Sequence, residues 1–153
     1  MDTIKNVINV VGAIYRDDKW LMIKRSENEE YAPGVIAMVG GKVENDGEEY
    51  DILENTLRRE AMEEVGIELS DSLTYIESIG FVSKKWGPVV DVIFLCKLEK
   101  GEPYPASPNE VAEVYWMTSE EILKDDVIPQ WVKRCIYKAE KMRLNLNSST
   151  SLI

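Results

Sequence analysis

The segment Arg59-Glu60-Ala61-Met62-Glu63-Glu64-Val65-Gly66-Ile67 is where this sequence carries chemistry. At about 100° per residue, an α-helix places Glu60, Glu63 and Glu64 inside one sector roughly 100° wide. Leu53 and Leu57 fall at or within the edge of that sector, so the glutamates continue an apolar stripe that should face the protein rather than water. Three carboxylates so placed raise one another's pKa and repel unless a cation balances them. With oxygen ligands only and no His or Cys nearby, Mg2+ or Mn2+ suits such a site better than Zn2+. The chain contains no histidine at all, which removes Ser/His and Cys/His triads and imidazole acid–base chemistry. Catalysis, if present, must run on carboxylates.

Charge placement agrees. Of the net charge of −10, a local balance of −7 lies between Glu44 and Glu64, where nine acids stand against two bases. A globally acidic surface disfavours nucleic acid polymers, whereas a carboxylate cluster attracts hard divalent cations. A calcium loop over the same acids fails by register: with Gly47 at the sixth position, Lys42 and Leu53 occupy the first and twelfth, where oxygen ligands are required.

The elements that must position these residues follow from pattern. The length of 153 residues, with 44% hydrophobic and 30% charged residues, reads as one globular domain. We take 1–144 as the domain and 145–153 as a polar tail. No stretch approaches the ~18 apolar residues of a membrane helix, and the N-terminus lacks a basic region followed by an apolar core, so the chain reads as cytoplasmic with no membrane partner. Cys96 and Cys135 sit in apolar surroundings and read as buried free thiols.

Val7 to Tyr15 and Lys19 to Lys24 predict a hairpin turning at Asp17-Asp18, and Val35 to Val39 a short strand running into Gly40-Gly41. A helix should start near Asp51 and stop at Gly66. Tyr75 to Val82 and Val89 to Leu98 predict a second hairpin. Glu99 to Asn109, with three prolines, predicts a long loop. Val114 to Met117 should be a strand, Thr118 an N-cap and Pro129 to Arg143 the last helix. Five bases on that helix (Lys133, Arg134, Lys138, Lys141, Arg143) read as a solvated face, with a partner or phosphate surface as the other reading. This order of elements predicts an α/β (α+β) fold, a mixed sheet with helices on both faces.

Gly41 followed by acids and then Arg-Glu-Ala-Met-Glu-Glu-Val-Gly-Ile resembles the Nudix box, G-x5-E-x7-R-E-U-x-E-E-x-G-U, where U is aliphatic. The second half matches from Arg59 to Ile67. The first half departs: register from the helix puts Asp51 where the box has its first glutamate, and register from the loop puts Glu48 or Glu49 near it. We read an insertion within Glu44 to Asp51, and Val39 stands where a proline commonly precedes the glycine pair.

The resemblance, to the MutT-type pyrophosphohydrolases of the Nudix hydrolase family, covers nearly the whole chain. It implies an α/β/α sandwich and metal-dependent hydrolysis of a diphosphate linkage in a nucleoside diphosphate derivative, by water attack on phosphorus. It also implies Glu60, Glu63, Glu64 and the Gly40 carbonyl as ligands of Mg2+ or Mn2+, with Glu63 and Arg59 in the catalytic machinery and Arg59 steadying a glutamate. Arg25, Gly41 and Lys42 become substrate contacts. The general base of such enzymes, a glutamate on a loop before a strand, falls on Glu110, with Glu113 as competitor. The alternatives are an inactive Nudix ligand-binding or regulatory module, and a diphosphate isomerase on the same fold. Trp20, Tyr31 and Trp86 are equally readable as base-stacking or packing residues. The substrate within the family and the oligomeric state, a homodimer included, stay open.

Overall fold

Asp17, left-handed at φ 55°, turns β1 (Val7–Arg16) into β2 (Lys19–Arg25), with Tyr15 opposite Trp20 in the antiparallel register. The computed structural model describes residues 3–151, with side chains described up to residue 146. β1 is the centre of a mixed seven-stranded sheet with the strand order β3-β2-β1-β6-β5. Its parallel partner is β6 (Gly87–Lys100), which forms the second expected hairpin with β5 (Glu68–Ser83). β7 (Val111–Thr118) and β3 (Ile36–Ala37) flank β2.

The expected strand from Val35 to Val39 is divided. The chain leaves β2 after Ala37 and pairs with β1 from Val39, so Met38 separates β3 from β4 (Val39–Lys42). One edge of β1 is therefore shared: Asn9 to Gly12 pair with β4, and Tyr15 and Arg16 with β2. The sheet forks between those two stretches.

Alternation along the strands builds two cores. Val10, Ile14, Leu21 and Ile23 face α1 (Ile52–Val65) and meet its Leu57, Ala61 and Val65. Val11, Ala13, Trp20 and Met22 face the other way, toward Ile122 of α2 (Ser119–Lys124) and Val132, Cys135, Ile136 and Ala139 of α3 (Gln130–Ser151). This is the expected α/β/α sandwich. Trp20 belongs to the core, and both cysteines are buried and free.

Local signals bound the helices as anticipated. Gly66 is left-handed at φ 69° and its N–H closes α1 on Ala61 O and Met62 O. Thr118 and Glu121 form a capping box on α2. Two expectations need correction. Residue 145 does not begin a tail: α3 continues to Ser151, since no glycine or proline intervenes, and 152–153 lie outside the described residues. The basic face of α3 is only partly solvated, because Arg134 and Lys138 reach Glu77 on β5 at 3.5 and 2.9 Å. Among the described residues, no helix is long and apolar enough to cross a membrane.

Candidate active site

The fork in the sheet is where α1 brings its carboxylates. Gly40 and Gly41 make this approach feasible: a Cβ on Gly41 would lie 2.5 Å from Glu60 Cδ, and one on Gly40 would lie 2.4 Å from Val10 O. Backbone thus takes the place of side chains, and Glu60 rests directly on β4.

The glutamates of α1 do not share one environment. Glu64 is 5% exposed, the Glu60 side chain 15% and the Glu63 side chain 59%. The reason is angular: Glu64 lies beside the Leu53–Leu57 stripe, Glu60 at its border and Glu63 about 100° from Glu64 on the outer side. The expected convergence of all three with Gly40 is therefore corrected to Glu60 and Glu64, with Glu63 turned toward solvent and 3.9 Å from Arg59. Among the described residues, no three acidic or thiol side chains form a ready metal cluster.

Glu110 supplies a third carboxylate from the proline-containing loop, which is fixed by Ser26 N–H donating to Glu110 O and Glu110 N–H to Ser107 O, both at 2.9 Å. It lines a pocket of about 400 Å3 with Glu60, Glu64, Gly40 and Gly41. Its competitor Glu113 is elsewhere, on β7 opposite Lys24, where it accepts a hydrogen bond from the Tyr115 hydroxyl.

Electrostatically the site is short of positive charge. Burial, then Glu60 and Glu110, push Glu64 up to about 9, against the opposing pull of Arg25 and the Gly40 N–H. Burial, then Glu63 and Glu110, push Glu60 up to about 7, with Arg59 3.5 Å away in partial compensation. Glu64 Oε2 is enclosed and, among the described residues, has no hydrogen-bond partner. An orphaned carboxylate oxygen, hard oxygen donors and a glycine cradle fit a divalent cation.

The other expected contacts separate into two groups. Arg25 and Lys42 line the same pocket; Arg25 Nε donates to Tyr31 O at 3.0 Å, and Lys42 Nζ lies 3.7 Å from the centre of the Trp86 ring. Arg59 instead lines a second depression with Glu44, Asp46, Glu48 and Glu49. Glu48 accepts from Tyr50 Oη at 3.0 Å and Glu49 from Asn55 Nδ2 at 3.1 Å. Asp51 precedes α1 in the left-handed region at φ 57° and makes no side-chain capping bond.

Sequence reasoning missed Asn9 and Asp91, which also line the pocket beside Tyr31, Trp86 and Trp131. A signal was available. Asn9 interrupts the apolar run of β1, and Asp91 is the one charged residue between Val89 and Cys96.

A family model described as NUDIX domain matches residues 5–137. A Yersinia pestis protein named as an uncharacterized Nudix hydrolase is 34% identical over 122 residues, covering 75% of this chain and 60% of the relative. The chain thus spans about 60% of the length of the curated relatives it matches. Among solved structures, a MutT NUDIX hydrolase from Burkholderia pseudomallei superposes with a TM-score of 0.73 at 21% identity, covering 88% of this chain and 98% of its own. The NUDIX domain of Shewanella oneidensis NrtR, crystallised with ADP ribose, does so at 0.73 and 17% identity, covering 92% of this chain and 90% of its own.

Proposed function

The chain belongs to the NUDIX domain family, and from that premise we propose that it is a pyrophosphohydrolase that cleaves a diphosphate linkage in a nucleotide-like substrate, using Mg2+ or Mn2+. The observation that carries this reading is the enclosed, unpartnered Glu64 carboxylate, set beside Glu60 and Glu110 at the Gly40-Gly41 cradle. Glu60 and Glu64 would hold the cation, with the Gly40 carbonyl as a further ligand and Glu63 available from the outer side of the helix. A bound divalent cation lowers the pKa of water and neutralises charge on phosphate oxygens.

The chain's own groups do the rest. Glu110 takes the proton of the attacking water, because it comes from outside α1 and yet lies close enough to Glu60 and Glu64 to raise both carboxyls. Arg25 and Lys42 bind phosphate oxygens, the former by charge-assisted hydrogen bonds from a fork already fixed on Tyr31 O. Arg59 holds Glu60 in place by the contact already described, and Gly41 leaves room for the diphosphate.

A substrate panel of nucleoside diphosphate derivatives, incubated with Mg2+ or with EDTA and scored for phosphate and nucleotide release, tests the reading. Turnover with Mg2+ and none with EDTA supports it. Nucleotide binding without turnover under either condition would overturn it in favour of a ligand-binding module, for which the ADP-ribose complex of the Shewanella domain offers a precedent in this fold.

A further inference from the structure

The pocket lining includes two polar residues outside the metal-binding proposal, Asn9 and Asp91, which neighbouring strands hold side by side. Asn9 of β1 and Asp91 of β6 are partners in the parallel register. Asp91 is only 7% exposed, and among the described residues its side chain has one hydrogen bond, donated by Asn9 Nδ2 to Oδ1 at 3.2 Å. Among the described residues no side-chain cation pairs with it; burial holds its carboxyl above the usual range and the Asn9 amide opposes that. Removing a carboxylate from water in this way costs stability and improves no packing. Its spare lone pairs border a cavity lined by the rings of Tyr31 and Trp86, whose centres are 5.4 Å apart. Asp91 is close enough to bear on the Tyr31 hydroxyl, after burial the largest influence raising it.

A carboxylate in the wall of an aromatic-lined pocket suits a flat heterocycle that donates hydrogen bonds from its edge. We propose that Asp91, steadied by Asn9, is the specificity-determining residue for the nucleobase and selects an edge with two adjacent N–H donors, as guanine presents. Adenine and cytosine offer an amino group next to a ring nitrogen whose lone pair opposes the second carboxylate oxygen. Uracil offers one N–H between two carbonyls. The inference rests on the reading that this pocket takes a nucleotide.

Equilibrium dialysis of the full chain with GMP, IMP, AMP, CMP and UMP tests it without requiring turnover. GMP should bind most tightly, and IMP, which lacks only the 2-amino donor, about tenfold more weakly. In Asp91→Asn the amide offers one donor and one acceptor, the pattern that matches adenine, and the GMP:AMP affinity ratio should fall by about tenfold or more. Equal binding of GMP and IMP by the unaltered chain overturns the inference, as does absent binding of all five. An unchanged GMP:AMP ratio in a folded Asp91→Asn also overturns it. The hydrolysis panel separates the two ideas: turnover indifferent to the base removes this inference alone, and base-selective binding without turnover removes the hydrolase reading alone.

Discussion

Two glutamates are buried to nearly the same degree on opposite faces of the sheet, Glu64 at 5% exposure and Glu77 at 7%, and their surroundings treat them in opposite ways. Around Glu77, burial alone would raise the carboxyl, but Lys138, the Cys135 thiol and Arg134 outweigh it and hold the group below the usual carboxylate range. Around Glu64 burial is reinforced by two more acids, which Arg25 and the Gly40 N–H do not outweigh, and the carboxyl is pushed up to about 9. A fold shaped for stability alone would neutralise both. The α3 face carries its own counter-charge, whereas the α1 face leaves a deficit that a bound cation is suited to fill. Burial of a carboxylate is thus uninformative until its partners are counted.

The comparison breaks most directly at Glu64 itself. Glu64→Gln should lower turnover on the best substrate by about three orders of magnitude while the melting temperature does not fall. Turnover within tenfold of the parent would put Glu64 on the same footing as Glu77. Next in size is the third carboxylate of that face. In pre-steady-state measurements at saturating Mg2+, Glu110→Gln should lose about two orders of magnitude, and Glu113→Gln should stay near the parent.

Glu77 should respond in the complementary way. In urea titrations Glu77→Gln is expected to cost about 2 kcal/mol, because Lys138 and Arg134 lose their anion, with turnover unchanged. A loss of activity in a stable Glu77→Gln would end the division into a structural and a chemical face.

Acid and alkali should separate the two faces as well. Glu60 and Glu64 have folded pKa values above 4.5, at about 7 and about 9. Their contribution to metal-free stability is therefore complete below about pH 4.5 and is lost as pH rises through 7 toward 9. Glu77, held lower than its unfolded value, contributes above that value and loses its contribution as pH falls. With EDTA present, Glu64→Gln should therefore gain on the order of 2 kcal/mol over the parent near pH 9 and nothing at pH 4. Thermal melts across this range, with Mg2+ added in parallel, check both signs. An equal gain at both ends would mean that packing rather than charge distinguishes the variants.

The smallest effect concerns the acids before α1. Glu48→Gln, beside the depression that Arg59 lines, should shift the Mg2+ concentration for half-maximal turnover by about twofold, as exposed charges usually do. Asp51→Asn should leave it unchanged. A larger shift for Asp51 would return the first box position to the helix register.

Much of the fold was legible because its signals are local. The Asp17-Asp18 turn, the stop at Gly66 and the Thr118 cap depend on sterics and hydrogen bonds within a few residues. The period of α1 put Leu57 on the stripe that faces the protein, where it is buried, for the same reason. Met38 was harder: a strand that changes partner in mid-run looks continuous in sequence, since both halves are apolar.

By itself, then, the sequence determined the family, the sandwich and the helix that carries the box glutamates, because motif spacing and hydrophobic period are properties of neighbouring residues. Only the tertiary structure decided which carboxylates meet. It decided which part of the carboxylate sector of α1 is enclosed, leaving Glu63 outward, set Glu110 in the pocket and Glu113 outside it, and paired Glu77 with Lys138 across helix and sheet. It also joined Asn9 to Asp91, 82 residues apart in sequence. Those choices follow from strand register and helix docking, which couple distant parts of the chain through packing and leave no periodic trace along it.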